Sequence, residues 1–373
     1  MKNQKNVDVF FALLRAGLWE QSVRLLPFEP IDFETVYQLA DDQSVVGLVA
    51  AGLEHVVDRK VTKPEVVSFM KKVFALESRN AGMNRFVADL YGKLRKAGIY
   101  ALLIKGQGIG QCYERPHWRS AGDVDLLMDE KNYQKAKAFL IPLASNVDHE
   151  YSDRMHLALT IDSWTVELHG SMRSSRLGRV NSCIDAAQED TFRNGQVRVW
   201  RNGEIDVFIP AVNNDIIFVF IHILQHFYAQ GIGLRQTCDW CRLLWTYKDE
   251  IDRAMLKSRL KSVRLWSEWE VFASLAVNYL GMPVEAMPFY RKSQVLDRKA
   301  WRLMEHILRT GNFGQNRDLS YMQKYPFLIR KAISFWRVTQ DAFHRLMVFP
   351  LDSIEFYFRY VISGSKSAIE EIG

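Results

Sequence analysis

The sequence predicts an α+β protein in which a strand-rich middle section lies between two helical regions. Before residue 93, apolar side chains recur every three or four positions, which is the period of an amphipathic helix. Short runs with the alternating period of strands follow, and the helical period returns after Pro210. We therefore divide the chain into three regions: residues 1–92, 93–210 and 211–373.

The N-terminal region is predicted to consist of several helices separated at prolines. Val66, Phe69 and Val73 share one helical face, which is typical of a helix that packs on a core. Pro30 and Pro64 mark breaks or helix starts, because proline cannot continue a preceding helix but fits a first turn.

The middle region is predicted to contain short strands with one or two helices. The runs IYALLIKG, GDVDLLMD, HLALTI and TVELHG have strand character, whereas KNYQKAKAFLIPL has the helical period. VRVWRNGEIDVFIP predicts a hairpin that turns at Asn202-Gly203, since Asn-Gly is a favoured hairpin dipeptide.

The C-terminal region begins with an apolar helix for which Asn214 or Asp215 is the predicted cap and Gly231 the predicted end. The longest apolar run, Ile216 to Leu224, is too short to span a bilayer. The N-terminal residues lack the long apolar stretch of a secretory signal. We therefore expect a cytoplasmic protein without a transmembrane segment.

Composition favours a phosphate-bearing partner only weakly. The net charge is +6, and the basic, aromatic-rich segments late in the chain are typical of solvated helix faces as well as of nucleic-acid surfaces. Four scattered cysteines are too few for a disulfide scaffold. Cys238 and Cys241 form a C-x-x-C without a second pair, which favours a shared helix face over a zinc site.

The segment Gly122 to Met128 carries the strongest chemical signal. Side chains alternate along a strand, so Asp123 and Asp125 share a face while Val124 points the other way. Two carboxylates on one face repel each other unless a cation neutralises them, and hard oxygen ligands suit Mg²⁺ or Mn²⁺. The alternative is a polar edge strand with two solvated acids.

Two further segments add to this signal. Lys105-Gly106 ends a predicted strand and opens a loop with Gly108 and Gly110, where free backbone N–H groups could approach phosphate. Glu167 shares a strand face with Thr165 and His169, so it is the candidate third carboxylate of a metal site.

Two helical pairs leave alternatives open. His222 and His226 are four residues apart, a spacing that can bind metal, but without an adjacent acid we favour core or interface histidines. Arg235 and Asp239 are also four apart and either contact an acceptor or pair along the helix.

This combination resembles the nucleotidyltransferase superfamily of the DNA polymerase β type. Within it, the chain is most similar to a bacterial family described as uncharacterised nucleotidyltransferases. The similarity extends over roughly Phe10 to Trp245 and includes the N-terminal run FFALLRAGLWE. The residues that carry it are Lys105-Gly106, Arg119, Asp123-Val124-Asp125, Glu167-Leu168-His169, His226, Gly233, Leu234-Arg235 and Asp239.

The resemblance implies a polymerase β-like core, a mixed sheet with flanking helices, that transfers a nucleoside monophosphate from a nucleoside triphosphate and releases pyrophosphate. It implies three functional groups of residues. The catalytic and metal-binding group, for Mg²⁺ or Mn²⁺, is Asp123, Asp125 and Glu167. The nucleotide-binding group is Lys105, Gly106, Gln107 and Arg119, and the possible acceptor or ligand contacts are His169, Arg235 and Asp239.

Other functions remain open at this point. The superfamily turn usually reads Gly-Ser or Gly-Gly, whereas here it is Gly106-Gln107, which keeps a non-catalytic regulator or binding module as the second hypothesis. A third is a metal-dependent phosphohydrolase that uses Asp123, Asp125, Glu167 and His169. For a transferase, the acceptor is a small molecule, a sugar, a protein or an RNA end, and the oligomeric state is open.

Overall fold

The structure is a computed structural model that describes residues 2–152, 155–174, 177–317, 320 and 324–357. Within these residues helices dominate, and a five-stranded mixed sheet lies in the middle of the chain. The predicted α+β class is therefore confirmed. Residues 358–373 of the predicted C-terminal region lie outside the described residues.

The described residues before the first strand form helices, as the sequence predicts. Their bounds are α1 (Lys2–Trp19), α2 (Phe33–Asp42), α3 (Val46–Glu54) and α4 (Lys63–Lys96). Asp32 caps α2 by accepting hydrogen bonds from the backbone of Glu34 and Thr35. Pro64 lies in the first turn of α4 behind a capping box, as the sequence predicts for a helix start.

Helices α1 and α3 cross at very close range because glycines stand at their contact. A Cβ atom built on Gly52 would lie 2.0 Å from the carbonyl oxygen of Leu13, and one on Gly17 would lie 1.8 Å from that of Leu48. Both obstacles are backbone atoms, which cannot rotate away. Any larger residue at these positions therefore has to separate the two helices.

Gly52→Ala is accordingly expected to destabilise the protein by about 1–3 kcal/mol, the usual cost of overpacking. The matched control is Gly92→Ala in α4, where an added Cβ meets no atom within 4 Å. There the lower backbone entropy of alanine stabilises the helix by roughly 0.5–1 kcal/mol. Urea denaturation of both variants measures the change in the free energy of unfolding, which should fall for Gly52→Ala and rise for Gly92→Ala. Equal changes in the two variants would contradict the close packing of α1 and α3.

The strands form one five-stranded sheet and one separate hairpin. Their bounds are β1 (Leu102–Ile104), β2 (Val124–Leu127), β3 (Asn146–Val147), β4 (His156–Ile161), β5 (Trp164–His169), β6 (Val197–Asn202) and β7 (Ile205–Pro210). The sheet order is β1-β2-β5-β4-β3, and only β2 and β5 run parallel to each other. The β6–β7 hairpin turns after Asn202, as predicted, and lies beside β1.

Strand register determines which side chains meet. Asp125 of β2 is directly opposite Glu167 of β5. His156 of β4 is directly opposite His169 of β5. Because side chains alternate along each strand, all four lie on the same face of the sheet.

Apolar side chains cover the sheet from both sides. The helices of the middle section are α5 (Gly106–Gly110), α6 (Glu130–Leu140) and α7 (Asn181–Phe192). Leu103, Val124 and Val166 belong to a core with residues of α4 and α6. Leu102 and Leu127 point the other way, into a larger core that the N-terminal and C-terminal helices share.

The C-terminal helices cover the second face of the sheet. Their bounds are α8 (Val212–Ala229), α9 (Leu234–Thr246), α10 (Arg253–Ser262), α11 (Trp266–Leu280), α12 (Gln294–Thr310) and α13 (Phe327–Leu346). Helix α8 begins at Val212, three or four residues earlier than predicted, so Asn214 and Asp215 are not its cap. They instead bond to Thr191 and Arg198, side chains whose proximity depends on the fold. Gly231, with φ of +100°, follows the end of α8 as predicted.

The two helical regions are in direct contact. The indole of Trp19 in α1 donates a hydrogen bond of 2.6 Å to the carbonyl of Leu280 in α11. The predicted boundary at residues 92/93 falls within α4, and the one at 210/211 falls between β7 and α8. The three-region division stays a prediction. No described helix combines the length and the apolar character that crossing a membrane requires.

Candidate functional site

A cavity of about 170 Å³ lies between the sheet and helices α8 and α9. It brings together residues that are far apart in the sequence. Among the residues singled out above, those that line it are Lys105, Gly106, Arg119, Asp123, Asp125, Glu167, His222, His226, Arg235 and Asp239. His169 lines an adjoining cavity of about 440 Å³ that also contacts Glu167.

Three carboxylates face this cavity from neighbouring strands. Asp125 and Glu167 lie side by side on the parallel pair β2 and β5, and Asp123 lies just before β2. Asp125 is buried and Asp123 is exposed. The sequence predicts that Asp123 and Asp125 share a face, and the strand order adds Glu167 beside them.

The carboxylates influence one another electrostatically. Partial removal from water and the neighbouring Glu167 and Asp125 raise the pKa of Asp123 above its ordinary value. Three oxygen donors that repel one another are a suitable ligand set for Mg²⁺ or Mn²⁺.

Lys105 already supplies one positive charge at this position. Its Nζ lies 2.9 Å from Oδ1 of Asp125, and both side chains are nearly buried. The backbone of Lys105 has φ of 58°, which is unfavourable for a residue with a side chain and persists only where the surroundings enforce it. This conformation ends β1 and directs the chain into α5.

Two histidines flank Glu167. Nε2 of His156 and Nε2 of His169 each lie 3.3 Å from Oε2 of Glu167. Although burial raises the pKa of Glu167, these two hydrogen bonds and the charge of Lys105 outweigh it and hold the pKa well below its ordinary value. Glu167 is therefore a permanent anion at neutral pH.

His169 also contacts the second carboxylate of the pair. Its Nε2 lies 3.0 Å from Oδ1 of Asp125. Burial alone would lower the pKa of His169, but the hydrogen bonds to Asp125 and Glu167 outweigh it, so that the pKa is raised. His156 was not among the residues predicted from the sequence. Its position opposite His169 follows from the β4–β5 register, which the turn at Asp162 and Ser163 sets.

Helix α8 contributes two further histidines to the cavity wall. The rings of His222 and His226 are 4.3 Å apart, one turn from each other. Burial and the charge of Lys105 lower the pKa of both, to about 4 for His226. Both rings are therefore uncharged at neutral pH. The sequence favours core or interface histidines, whereas the structure places the pair, half-buried, against the cavity.

Arg119 and Asp239 form a buried ion pair across the cavity wall. Nε and Nη2 of Arg119 donate hydrogen bonds of 2.6 and 2.8 Å to the two oxygens of Asp239. The hydroxyl of Tyr113 donates a third, of 2.8 Å. Two of the three guanidinium nitrogens are thus committed to Asp239, and the buried Nη1 of Arg119 has no hydrogen-bond partner.

Arg235 donates to a backbone carbonyl instead of to Asp239, the acid one turn further along α9. Its Nη1 donates a hydrogen bond of 2.9 Å to the carbonyl of Ser120, and its buried Nε has no partner. Burial, followed by the charge of Arg119, lowers the pKa of Arg235. Two arginines with unpartnered buried nitrogens therefore border the cavity, and these nitrogens can donate hydrogen bonds to an anionic ligand.

The glycine-rich segment differs from its prediction. Residues 106–110 form the short helix α5 instead of an open loop, and an added Cβ on Gly108 would lie 3.1 Å from Ile209. Gly108 thus serves packing against β7. Gln107 is buried and donates a hydrogen bond of 2.5 Å to Asn84 of α4, so that its side chain does not line the cavity.

The C-x-x-C pair does not line this cavity. Cys238 and Cys241 are fully buried on α9, and burial raises the pKa of both thiols. Neither belongs to a potential metal-binding group among the described residues. This agrees with the shared helix face that the spacing favours.

The fold and the site together define an α+β protein whose mixed sheet presents carboxylates to a partly enclosed cavity. The chain belongs to the family of uncharacterised nucleotidyltransferases, whose sequence profile matches residues 29–281. The match includes every site residue predicted above, whereas the N-terminal FFALLRAGLWE run precedes it. No curated protein and no solved structure shows significant similarity to the chain. Membership of this family suggests an enzyme.

Proposed function

We propose that the protein is a divalent-metal-dependent nucleotidyltransferase that moves a nucleoside monophosphate from a triphosphate to a hydroxyl-bearing acceptor. The acceptor class stays open among small molecules, sugars, proteins and RNA ends. We further propose that β1, α5, β2 and β5 are the centre of a polymerase β-like core. The order of these elements and the acids on β2 and β5 support this interpretation.

One observation carries the proposal. Asp125 and Glu167 lie directly opposite each other on two parallel strands. Asp123 lies two residues before Asp125, and Lys105 forms an ion pair with Asp125. Such a concentration of negative charge opposes folding unless cations bind there. Mg²⁺ held by Asp123, Asp125 and Glu167 would neutralise charge on a bound triphosphate.

The chain's own residues support the remaining steps. Lys105 and Arg235 can attract the phosphates, and the free Nη1 of Arg119 offers another donor. The hydroxyl oxygen of the acceptor attacks the α-phosphorus, the bond to the β-phosphate oxygen breaks, and pyrophosphate leaves. The hydroxyl proton passes to a carboxylate of the cluster or, through water, to solvent.

The test is calorimetric titration of the full chain with ATP, GTP, CTP and UTP, with and without Mg²⁺. We expect one or more triphosphates to bind only in the presence of Mg²⁺. The double variant Asp123→Ala/Asp125→Ala is expected to lose this binding, because it removes two of the three proposed ligands. The matched control is Glu204→Ala/Asp206→Ala, a second acid-x-acid pair, which lies in the β6–β7 hairpin and does not line the cavity.

A second candidate, a non-catalytic binding module, rests on the Lys105–Asp125 ion pair. This contact neutralises one carboxylate without any metal. If the protein is such a module, it binds no nucleotide in a metal-dependent way. Lys105→Ala should then destabilise the protein, because Asp125 loses its counter-charge and is repelled by the neighbouring carboxylates. Binding of no triphosphate to the wild-type chain would therefore favour the module over the transferase.

A further inference from the structure

Three potential ligand atoms converge beside the carboxylate cluster. His156, Glu167 and His169 each offer one such atom, and all three atoms lie within 4.8 Å of one another. The two imidazole rings lie on adjacent strands, with centroids 4.8 Å apart and planes tilted by 45°. The residues belong to β4 and β5, so that a rigid antiparallel ladder holds them in place.

The separations approach those of a coordination shell. Each Nε2 lies 3.3 Å from Oε2 of Glu167. Ligand atoms about 2.0–2.1 Å from a tetrahedral ion are separated by roughly 3.3–3.4 Å. Two of the three edges thus already have the length that an ion would require.

The donor set is different in kind from that of the neighbouring acids. Two imidazoles and one carboxylate suit Zn²⁺ and similar transition ions, whereas Mg²⁺ prefers oxygen donors alone. We propose that His156, Glu167 and His169 bind a zinc-class transition-metal ion beside the position assigned to Mg²⁺. The Nε2 of His169 that faces Glu167 also lies 3.0 Å from Oδ1 of Asp125, so this nitrogen exchanges its contact with Asp125 for the ion when metal binds.

The geometry leaves this ion accessible. The side chains of His156 and Glu167 are 23% and 27% exposed, so an ion can enter from solvent. The site opens into the cavity of about 440 Å³, which Gln225 and His226 of α8 also line. Three protein ligands leave a fourth position for water or a substrate oxygen, as in catalytic zinc sites.

Metal binding by His156, Glu167 and His169 does not require a nucleotide. Glu167 takes part in both proposals. Its Oε2 faces the two histidines, and its other oxygen remains for an ion held by Asp123 and Asp125.

The experiment uses the full chain, freed of metal by a chelator and without nucleotide. Zn²⁺ is titrated by calorimetry in millimolar Mg²⁺, and Co²⁺ is titrated as a spectroscopic probe. We expect one Zn²⁺ per chain and a Co²⁺ absorption band typical of a low-coordinate site with nitrogen ligands. Bound Zn²⁺ should also raise the melting temperature, since the unfolded chain does not hold the three ligands together.

His156→Ala is expected to weaken Zn²⁺ binding at least about 100-fold, because loss of a ligand exceeds the loss of a supporting residue. His156→Asn, which keeps a polar side chain, serves if the alanine variant fails to fold. The matched control is His149→Ala, an exposed histidine seven residues earlier, which should bind Zn²⁺ like the wild type. Circular dichroism verifies that each variant is folded.

Absence of Zn²⁺ binding in the wild type would overturn the inference, as would binding that folded His156→Asn retains in full. Competition by millimolar Mg²⁺ would also overturn it, because it would locate the ion at the oxygen ligands. None of these outcomes bears on nucleotide binding, which the triphosphate titrations test separately.

Discussion

Replacing Asp239 by Asn is expected to destabilise the protein by about 3–5 kcal/mol, the usual cost of breaking a buried ion pair. Asp239 accepts two hydrogen bonds from Arg119 and one from Tyr113. Its loss leaves the guanidinium of Arg119, which is 4% exposed, without a compensating charge. Urea denaturation of the variant measures the effect.

Two further variants separate the ion pair from general damage to the site. Arg119→Met/Asp239→Leu removes both charges and should recover much of the lost stability, since neither member of the pair then leaves the other uncompensated. Arg173→Met breaks an equally well-formed but exposed pair with Asp185 and should cost less than about 1 kcal/mol. A double variant no more stable than Asp239→Asn would contradict this account.

Asp123→Asn should reduce pyrophosphate release from the bound triphosphate at least about 10²-fold, the scale for removing one group that stabilises transition-state charge. The same change is expected to stabilise the metal-free protein at neutral pH. The pKa of Asp123 is raised in the folded protein, so its ionised form opposes folding and a neutral residue removes that opposition. Stability and activity therefore move in opposite directions.

The stability gained by Asp123→Asn in the metal-free protein should depend on pH. The advantage of Asn over Asp123 should be full above the raised pKa and disappear as the pH falls below the ordinary value for aspartate, where both side chains are neutral. Thermal unfolding at several pH values measures it. Glu204→Gln, at a side chain 97% exposed, is the control and should change neither stability nor pyrophosphate release. A destabilised Asp123→Asn variant would show that the carboxylate has a structural role instead.

Local patterns predicted most of the secondary structure. The alternation in GDVDLLMD and TVELHG corresponds to β2 and β5, and Pro64 with Thr62 and Glu65 corresponds to the start of α4. The predicted cap of α8 was wrong, because Asn214 and Asp215 bond to distant side chains instead of to the start of the helix. Their partners are Thr191 and Arg198. A prediction from local propensity fails where a distant side chain competes for the same hydrogen-bonding group.

The sequence by itself determined the α+β class, the common face of Asp123 and Asp125, and the family resemblance. The tertiary structure alone decided which groups meet there. The strand order brings Glu167 beside Asp125 and His156 beside His169, and the packing of α9 joins Asp239 to Arg119. The physical reason is that periodicity fixes only the direction of each side chain along its own element. Strand order and helix packing depend on burial of the whole apolar surface, and these decide which distant charges become neighbours.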